Sequence, residues 1–451
     1  MIDLRPLKSQ LNNKPVAIVG LARSGLCAYE ACKAAGIKTV LWDDNASARS
    51  ELPTEDLTQV DFSRFSLLCL SPGIPLTHPK PHSAVVQAQK AGCPIVCDIE
   101  LFHRAHPKIK TIGITGTNGK STTTALIGHI LKTAEIESVI GGNIGDASLG
   151  LPQLSDKGIY VFELSSYQLD LCPTFSPDIS ILINLSPDHL DRHGDMAGYI
   201  AAKKKIFRGP GTAIIGIDDK WSQQVYKETA NSEREVISVS CLSKADVTVS
   251  VNGLLKGFDL KQCKTLQGQH NWQNAAMAYA ACTAAGIGAD IIIAGFKSFP
   301  GLIHRQNIIA VYNGISYIND SKATNDQAAA VALRTYNPIY WIAGGKSKDG
   351  GYNDCEKHIH HVRHTFLIGD AQEKMAAWLE KQKAPFTRSG TLDKAVAAAH
   401  DMAQKEKLKD AVVLLSPACA SFDQFKSFEQ RGEIFVDLVK KLAPCPKGAC
   451  A

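Results

Sequence analysis

Apolar positions along the chain gather in short runs separated by glycine-rich or acidic turns. Val16-Ala17-Ile18-Val19 leads into Gly20-Leu21-Ala22-Arg23-Ser24-Gly25 and an alanine-rich stretch that closes at Gly36. Further runs over 38–42 and 65–70 end in Asp43-Asp44 and Ser71-Pro72-Gly73. Short apolar runs bounded by turn residues predict buried strands, and the alanine-rich stretches between them predict helices. Strand, turn and helix in alternation predict a parallel sheet with helical crossovers.

The theme restarts twice. Thr111-Ile112-Gly113-Ile114-Thr115 runs into Gly116-Thr117-Asn118-Gly119-Lys120-Ser121 and a predicted helix to about Thr133. Strands follow over 160–163 and 179–184, and another α/β segment starts near Gly211. A last block opens after Gly301, with strands predicted over 315–318, 339–343, 365–368 and 412–415. The pattern is α/β, with three domains in series over residues 1–98, 99–301 and 302–451.

Composition narrows the function classes. The chain has 451 residues, 45% hydrophobic and 21% charged, with a net charge of +5. That balance is ordinary for a globular enzyme and gives no reason to expect nucleic acid. No run reaches the roughly 18 apolar residues of a membrane span. The opening segment MIDLRPLKSQLNNKP lacks the apolar core of a signal peptide, so a cytoplasmic protein without membrane insertion is expected. The 13 cysteines are scattered, without a Cys-x-x-Cys pair, and are expected to be mostly buried thiols. Cys445 and Cys450 fall in a Pro/Gly/Ala-rich tail.

The clearest chemistry lies at Gly116, Thr117, Asn118, Gly119, Lys120 and Ser121, between a strand and a helix. Glycines let backbone N–H groups close around phosphate oxygens, and the helix start adds partial positive charge. Lys120 can reach the terminal phosphates of a nucleotide, and the Ser121 hydroxyl can ligate Mg²⁺. Ile114 stands where the common phosphate loop has glycine. Glu163 and His189 each follow a predicted strand of the same block. Ligands collect at strand carboxyl ends, so together the two can hold a divalent ion; singly, each is equally well a helix-start acid or a loop histidine.

Other motifs are weaker alone. Lys203 stands in Ala201-Ala202-Lys203-Lys204-Lys205, where three lysines on a helix most often form a solvated face. Asn271 and Asn274 share a helix face and either cap that helix or read an adenine edge. Arg305, and the turn holding Asp320, Lys322 and Thr324, suit phosphate and carboxylate binding, or a plain polar turn. Lys346 to Gly351 is a cationic glycine-rich turn, and Ser416 to Phe425 is a small-residue turn after the last strand. The Gly20 to Gly25 turn resembles a dinucleotide fingerprint, with Ala22 in place of the middle glycine. A nicotinamide oxidoreductase would use that turn but leaves the Lys120 loop without a purpose. A nucleotide-gated binding protein would keep the loop but release little phosphate.

Taken in order, these motifs resemble the Mur ligases over nearly the whole chain. Asp320-Ser321-Lys322-Ala323-Thr324-Asn325 and Ser416-Pro417-Ala418-Cys419-Ala420-Ser421 resemble the branch that adds D-glutamate. Gly113 ahead of the loop looks like the family's own phosphate-loop variant, which accounts for Ile114. The resemblance implies Rossmann-like first and last domains and a central P-loop ATPase-like domain. It implies an ATP-dependent ligase, with another Mur-type or a folylpolyglutamate-type amide ligase as the alternative, using two Mg²⁺ ions and acting as a monomer. UDP-N-acetylmuramoyl-L-alanine and D-glutamate are the partners it implies.

The same resemblance assigns residues. Lys120, His189 and Lys203 are implied in catalysis, and Ser121, Glu163, His189 and Lys203 at metal, with Lys203 carbamylated. Asn271, Asn274, Arg305 and Asp320 join the phosphate loop at the nucleotide. Leu21, Ala22, Asp43, Ser71 and Gly73 are implied at the UDP group, and Asn143 at the muramoyl part. Lys322, Thr324, Lys348, Ser421 and Phe422 match D-glutamate positions.

Overall fold

The computed structural model describes residues 1–231, 233–347 and 351–442. The chain divides into two compact units, Met1–Phe299 and Pro300–Ala451. Within the first unit, four parallel strands stand in the order Thr39–Trp42, Val16–Val19, Leu67–Leu70, Ile95–Val96. A second, seven-stranded parallel sheet has Lys110–Thr115 inside it. Ile159–Glu163 and then Ser138–Gly142 lie on one side of that strand. On the other side follow Ile179–Leu182, Thr212–Gly216, Val236–Ser240 and Val247–Thr248.

Alternation along one strand shows how this sheet is covered. Tyr160 and Phe162 enter the core shared with the first sheet, where Phe102 meets them edge-on at 4.8 and 5.0 Å. Ile159 and Val161 face the opposite core with residues of the helices Lys120–Thr133 and Gln269–Ala284. Successive side chains of a strand point to opposite faces, so a run apolar at every position marks a sheet buried on both sides.

The second unit holds one six-stranded sheet. Its order is Asn307–Tyr312, Ile315–Asn319, Val412–Leu415, Ile339–Gly344, Val362–Ile368, Phe386–Gly390. Ile318, Trp341 and Leu414 face one core, and Tyr317, Tyr340 and Val413 the other.

The predicted strands are all present, with ends shifted by a residue or a few; the run over 65–70 forms a strand only from Leu67. The purely parallel expectation needs one correction. Asn307–Tyr312 pairs antiparallel with Ile315–Asn319 through a tight Asn313-Gly314 turn, whose φ values are 51° and 81°. Asparagine followed by glycine supplies the positive φ values such a turn needs. The eleven cysteines among the described residues are free thiols, and all but Cys27 are buried. Cys445 and Cys450 lie outside the described residues. Among the described residues no helix is long and apolar enough to cross a membrane.

Candidate active site

The chain leaves Lys110–Thr115 toward one side of its sheet and later returns to the other side at Ile179–Leu182. A crevice opens at the carboxyl ends of strands where the order reverses in this way, and Gly116 to Ser121 sits at it. Gly119 takes φ +84° at the start of the helix Lys120–Thr133, which has no side-chain cap. A Cβ on Gly119 would lie 2.2 Å from Asn274 Oδ1, so only glycine lets this loop touch the helix Gln269–Ala284. The first N–H groups of Lys120–Thr133 are thereby left for an anion.

Inside the loop, Lys120 Nζ donates to the carbonyls of Gly116 at 3.0 Å and Thr117 at 2.8 Å. Asn118 N–H donates to Asn184 Oδ1 at 2.9 Å, and Thr117 Oγ1 lies 3.1 Å from the Tyr199 hydroxyl. Ser121 is buried. Asn271 Oδ1 accepts from Asn274 Nδ2 at 3.2 Å, so the two asparagines act as a pair beside the loop.

Glu163 ends its strand next to this crevice. Its Oε1 accepts from Asn143 Nδ2 at 2.8 Å, while its Oε2 is buried with no hydrogen-bond partner. A buried carboxylate oxygen without a donor is costly, and a divalent cation removes the cost. Among the described residues no three His, Cys, Asp or Glu side chains are grouped to hold a metal. His189 is half-exposed at a left-handed φ of 53°, its ring 5.0 Å from that of Tyr167. Burial holds its imidazole below the usual pKa; the Asp188 carboxylate pulls it up, and the positive charges of Lys120 and Lys203 push it further down. A neutral imidazole is the ligand form.

The three lysines after Ala202 part company in the fold. Lys203 is 2% exposed, donating to Gly116 O at 2.9 Å and Thr115 Oγ1 at 3.2 Å. Burial, then repulsion from Lys120, drives its pKa well below that of an ordinary lysine. The expectation of a uniform solvated face is therefore corrected. Lys204 is half-buried and pairs with Glu228, and Lys205 pairs with Asp170 at 2.6 Å.

In the first sheet, Asp43 Oδ2 accepts from Leu21 N–H at 2.6 Å and Ser71 Oγ donates to Gly20 O at 2.7 Å. These bonds join three strand ends, bringing Leu21, Ala22, Asp43, Ser71 and Gly73 to one edge. The Leu21 side chain is buried, so only its backbone faces that edge.

The second unit gathers its candidates after three neighbouring strands. Asp320 N–H donates to Leu415 O at 2.7 Å, Ser416 Oγ donates to Asp320 Oδ2 at 2.7 Å, and Lys346 and Ala420 exchange backbone bonds. Lys322 Nζ lies 5.5 Å from the Phe428 ring centroid, Thr324 follows in the same turn, Ser421 is buried and Phe422 is exposed. Lys348 lies outside the described residues. Arg431, passed over in the sequence, is buried between these loops and donates to Ser321 O at 2.9 Å and Cys419 O at 3.2 Å. Its only sequence signal is an arginine on the apolar face of a helix.

Arg305 lies near Asp320, yet burial pushes the Asp320 carboxyl up to about 7, against the Ser416 bond and the Arg305 charge. Unfolded, that carboxyl titrates near 3.8. Between these values the folded protein holds more protons than the unfolded chain. The carboxyl's stabilising effect is thus full below about pH 4 and is lost as pH rises toward 7. Asp320→Asn is expected to flatten a decline on the order of 3–4 kcal/mol across that window. Melting temperatures of the ligand-free protein at stepped pH check this; an unchanged slope in the variant places the titration elsewhere.

Residues 114–282 match the Mur ligase middle domain. The UDP-N-acetylmuramoylalanine–D-glutamate ligase of Caulobacter sp. (strain K31) is 47% identical, over 97% of this chain and 98% of that protein. The ligase of the same name from Paramagnetospirillum magneticum (strain ATCC 700264 / AMB-1) is 45% identical, over 95% and 97%. The chain belongs to the Mur ligase family, in its D-glutamate ligase branch. Solved Mur ligase structures share the fold at low identity. A UDP-N-acetylmuramate–alanine ligase from Thermotoga maritima is 17% identical, with a TM-score of 0.60 over 95% of this chain and 99% of that one. A pseudomurein peptide ligase type C from Methanothermus fervidus is 16% identical, with a TM-score of 0.54 over 95% and 99%. The phosphate loop, Asn143, Glu163, His189, Lys203 and the Asn271–Asn274 pair thus belong to the seven-stranded sheet and its helices, Leu21, Ala22, Asp43, Ser71 and Gly73 to the first sheet, and Arg305, Asp320, Lys322, Thr324, Ser421 and Phe422 to the second unit.

Proposed function

We propose that this chain is an ATP-dependent ligase that joins D-glutamate to UDP-N-acetylmuramoyl-L-alanine in peptidoglycan precursor synthesis. The observation that carries the reading is 45–47% identity to D-glutamate ligases over nearly the whole chain, together with the phosphate loop and both second-unit turns in the sequence. Chemically, the alanyl carboxylate takes a phosphoryl group from ATP, and the D-glutamate amine then displaces phosphate from the acyl phosphate. Phosphoryl transfer asks for alignment and neutralised charge rather than covalent help.

The residues divide that work. The loop N–H groups and Lys120 grip the phosphates, and the Asn271–Asn274 pair borders the base or sugar. Ser121, Glu163 and His189, with a carbamylated Lys203, are suited to hold Mg²⁺; when bound, the two ions screen the phosphate charge. Asn143, held by Glu163, contacts the muramoyl part, while Leu21, Ala22, Asp43, Ser71 and Gly73 receive the UDP group. Arg305 and Asp320 are assigned to the nucleotide. Lys322, Thr324, Lys348, Ser421 and Phe422 receive D-glutamate.

The test is ADP release across a panel of UDP-muramoyl substrates and amino acids. Release is expected only with UDP-N-acetylmuramoyl-L-alanine and D-glutamate together; a preference for a folate or another amino acid overturns the assignment. Lys322→Ala is expected to raise the KM for D-glutamate by roughly 10- to 100-fold, the worth of one charged hydrogen bond, with the KM for ATP little changed. An unchanged D-glutamate KM removes Lys322 from the amino-acid site.

A further inference from the structure

Two arginines of the first unit run in opposite directions between the ligand turns of its two sheets. Arg192 belongs to the short helix Leu190–His193, whose N-cap is His189. Its Nη1 donates to Gly73 O at 3.0 Å, and its Nη2 donates to Ile74 O at 3.1 Å and Pro72 O at 3.4 Å. The guanidinium also covers the Tyr167 ring at 4.4 Å. Arg23 starts the helix Arg23–Ala34 in the first sheet's turn. It reaches back, donating to Gly145 O at 2.5 Å and to Gly142 O and Asn143 O at 3.4 Å.

The footing of Arg192 is braced by a buried network. The neighbouring His193 side chain is 4% exposed, with Nε2 2.9 Å from Ser166 Oγ and Nδ1 3.4 Å from Asp170 Oδ2. Lys205 fixes Asp170 in turn at 2.6 Å. The Ser–His–Asp order resembles that of hydrolases, but Ser166 is buried at a helix start, so the network serves as an anchor. In a trans peptide the carbonyl and the following N–H point opposite ways. Pinning Pro72 O therefore sets the direction of the Gly73 N–H, at a position where no atom would meet a Cβ within 4 Å. A planar guanidinium fork constrains direction as a lysine cannot.

Resting on the nucleotide-sugar ligase reading, we propose that Arg192 and Arg23 are positioning residues, crossed straps that hold the 71–74 and 142–145 turns in their nucleotide-sugar-binding arrangement. Neither arginine touches ATP or the amino acid in this role, so their loss is confined to one substrate.

Arg192→Met is expected to raise the KM for UDP-N-acetylmuramoyl-L-alanine on the order of tenfold, leaving those for ATP and D-glutamate within about twofold. Calorimetric UDP affinity should fall by a similar factor, with Arg192→Lys in between. The Arg23→Met/Arg192→Met double variant should lose less than the product of the single losses, because both straps hold one arrangement. Equal UDP affinity in Arg192→Met and wild type, a parallel rise of all three KM values, or losses that multiply overturns the proposal. If Arg192→Met does not fold, Arg192→Lys is judged by the same KM split and UDP affinity. A wild-type protein that binds UDP but releases no ADP with the substrate pair overturns the ligase reading, while the UDP affinities still decide on the straps.

Discussion

Lys120→Ala is expected to lower the rate of ADP release by on the order of 10²–10³, with all substrates saturating. The residue begins the helix Lys120–Thr133, and its ammonium lies over the carbonyls of the loop it closes. That point charge offsets negative charge where phosphoryl oxygens gather, and alanine offers nothing in its place. Alanine is a good helix former, so the fold is expected to survive, with a melting temperature within a few degrees of wild type. Near-normal turnover in the variant takes the phosphate site away from this loop.

Lys203→Ala is expected to be nearly as damaging, through different chemistry. An amine buried beside a second ammonium, that of Lys120, loses its proton readily, and the neutral amine is the form that takes up CO₂. A carbamate there would place a negative charge beside Glu163 and the phosphate loop, where a cation favours it. Short-chain carboxylates are expected to restore part of the lost activity in the alanine variant, and bicarbonate to support the wild type. Lys204→Ala is the control, since its pair with Glu228 is half-exposed and such pairs contribute little. Lys205 is no control, because it braces Asp170 and hence His193. Full activity in Lys203→Ala ends the carbamate role, and equal damage from Lys204→Ala shows that the helix face is wrongly assigned.

The contrast among these lysines shows where the sequence was readable. Gly119 and Lys120 stood out because a strand, two glycines and a helix start are all local. The burial of Lys203 was also written locally, since Tyr199, Lys203 and Ile206 follow helical spacing and all three are buried. The run of like charges masked that period. The antiparallel strand Asn307–Tyr312 had its hairpin signal in Asn313-Gly314, overshadowed by the parallel theme. Arg192 had no such local mark, and Arg431 only its place on the apolar face of a helix. Their partners are backbone carbonyls more than a hundred residues away for Arg192, and mostly backbone carbonyls on two separate turns for Arg431, joined by the Ser321 hydroxyl. Backbone carbonyls carry no sequence identity, so such bonds emerge only in the folded chain.

The strand Val412–Leu415 is the last in sequence yet sits inside its sheet, between Ile315–Asn319 and Ile339–Gly344. During synthesis, the two flanking strands must wait with an open slot until that stretch has left the ribosome. Chains cut short ahead of Val412 would present two unpaired inner edges rich in Tyr, Trp and Ile, a template for joining other chains. A cut ahead of Val412 therefore threatens solubility as well as chemistry, and synthesis through Leu415 becomes a condition for remaining dispersed.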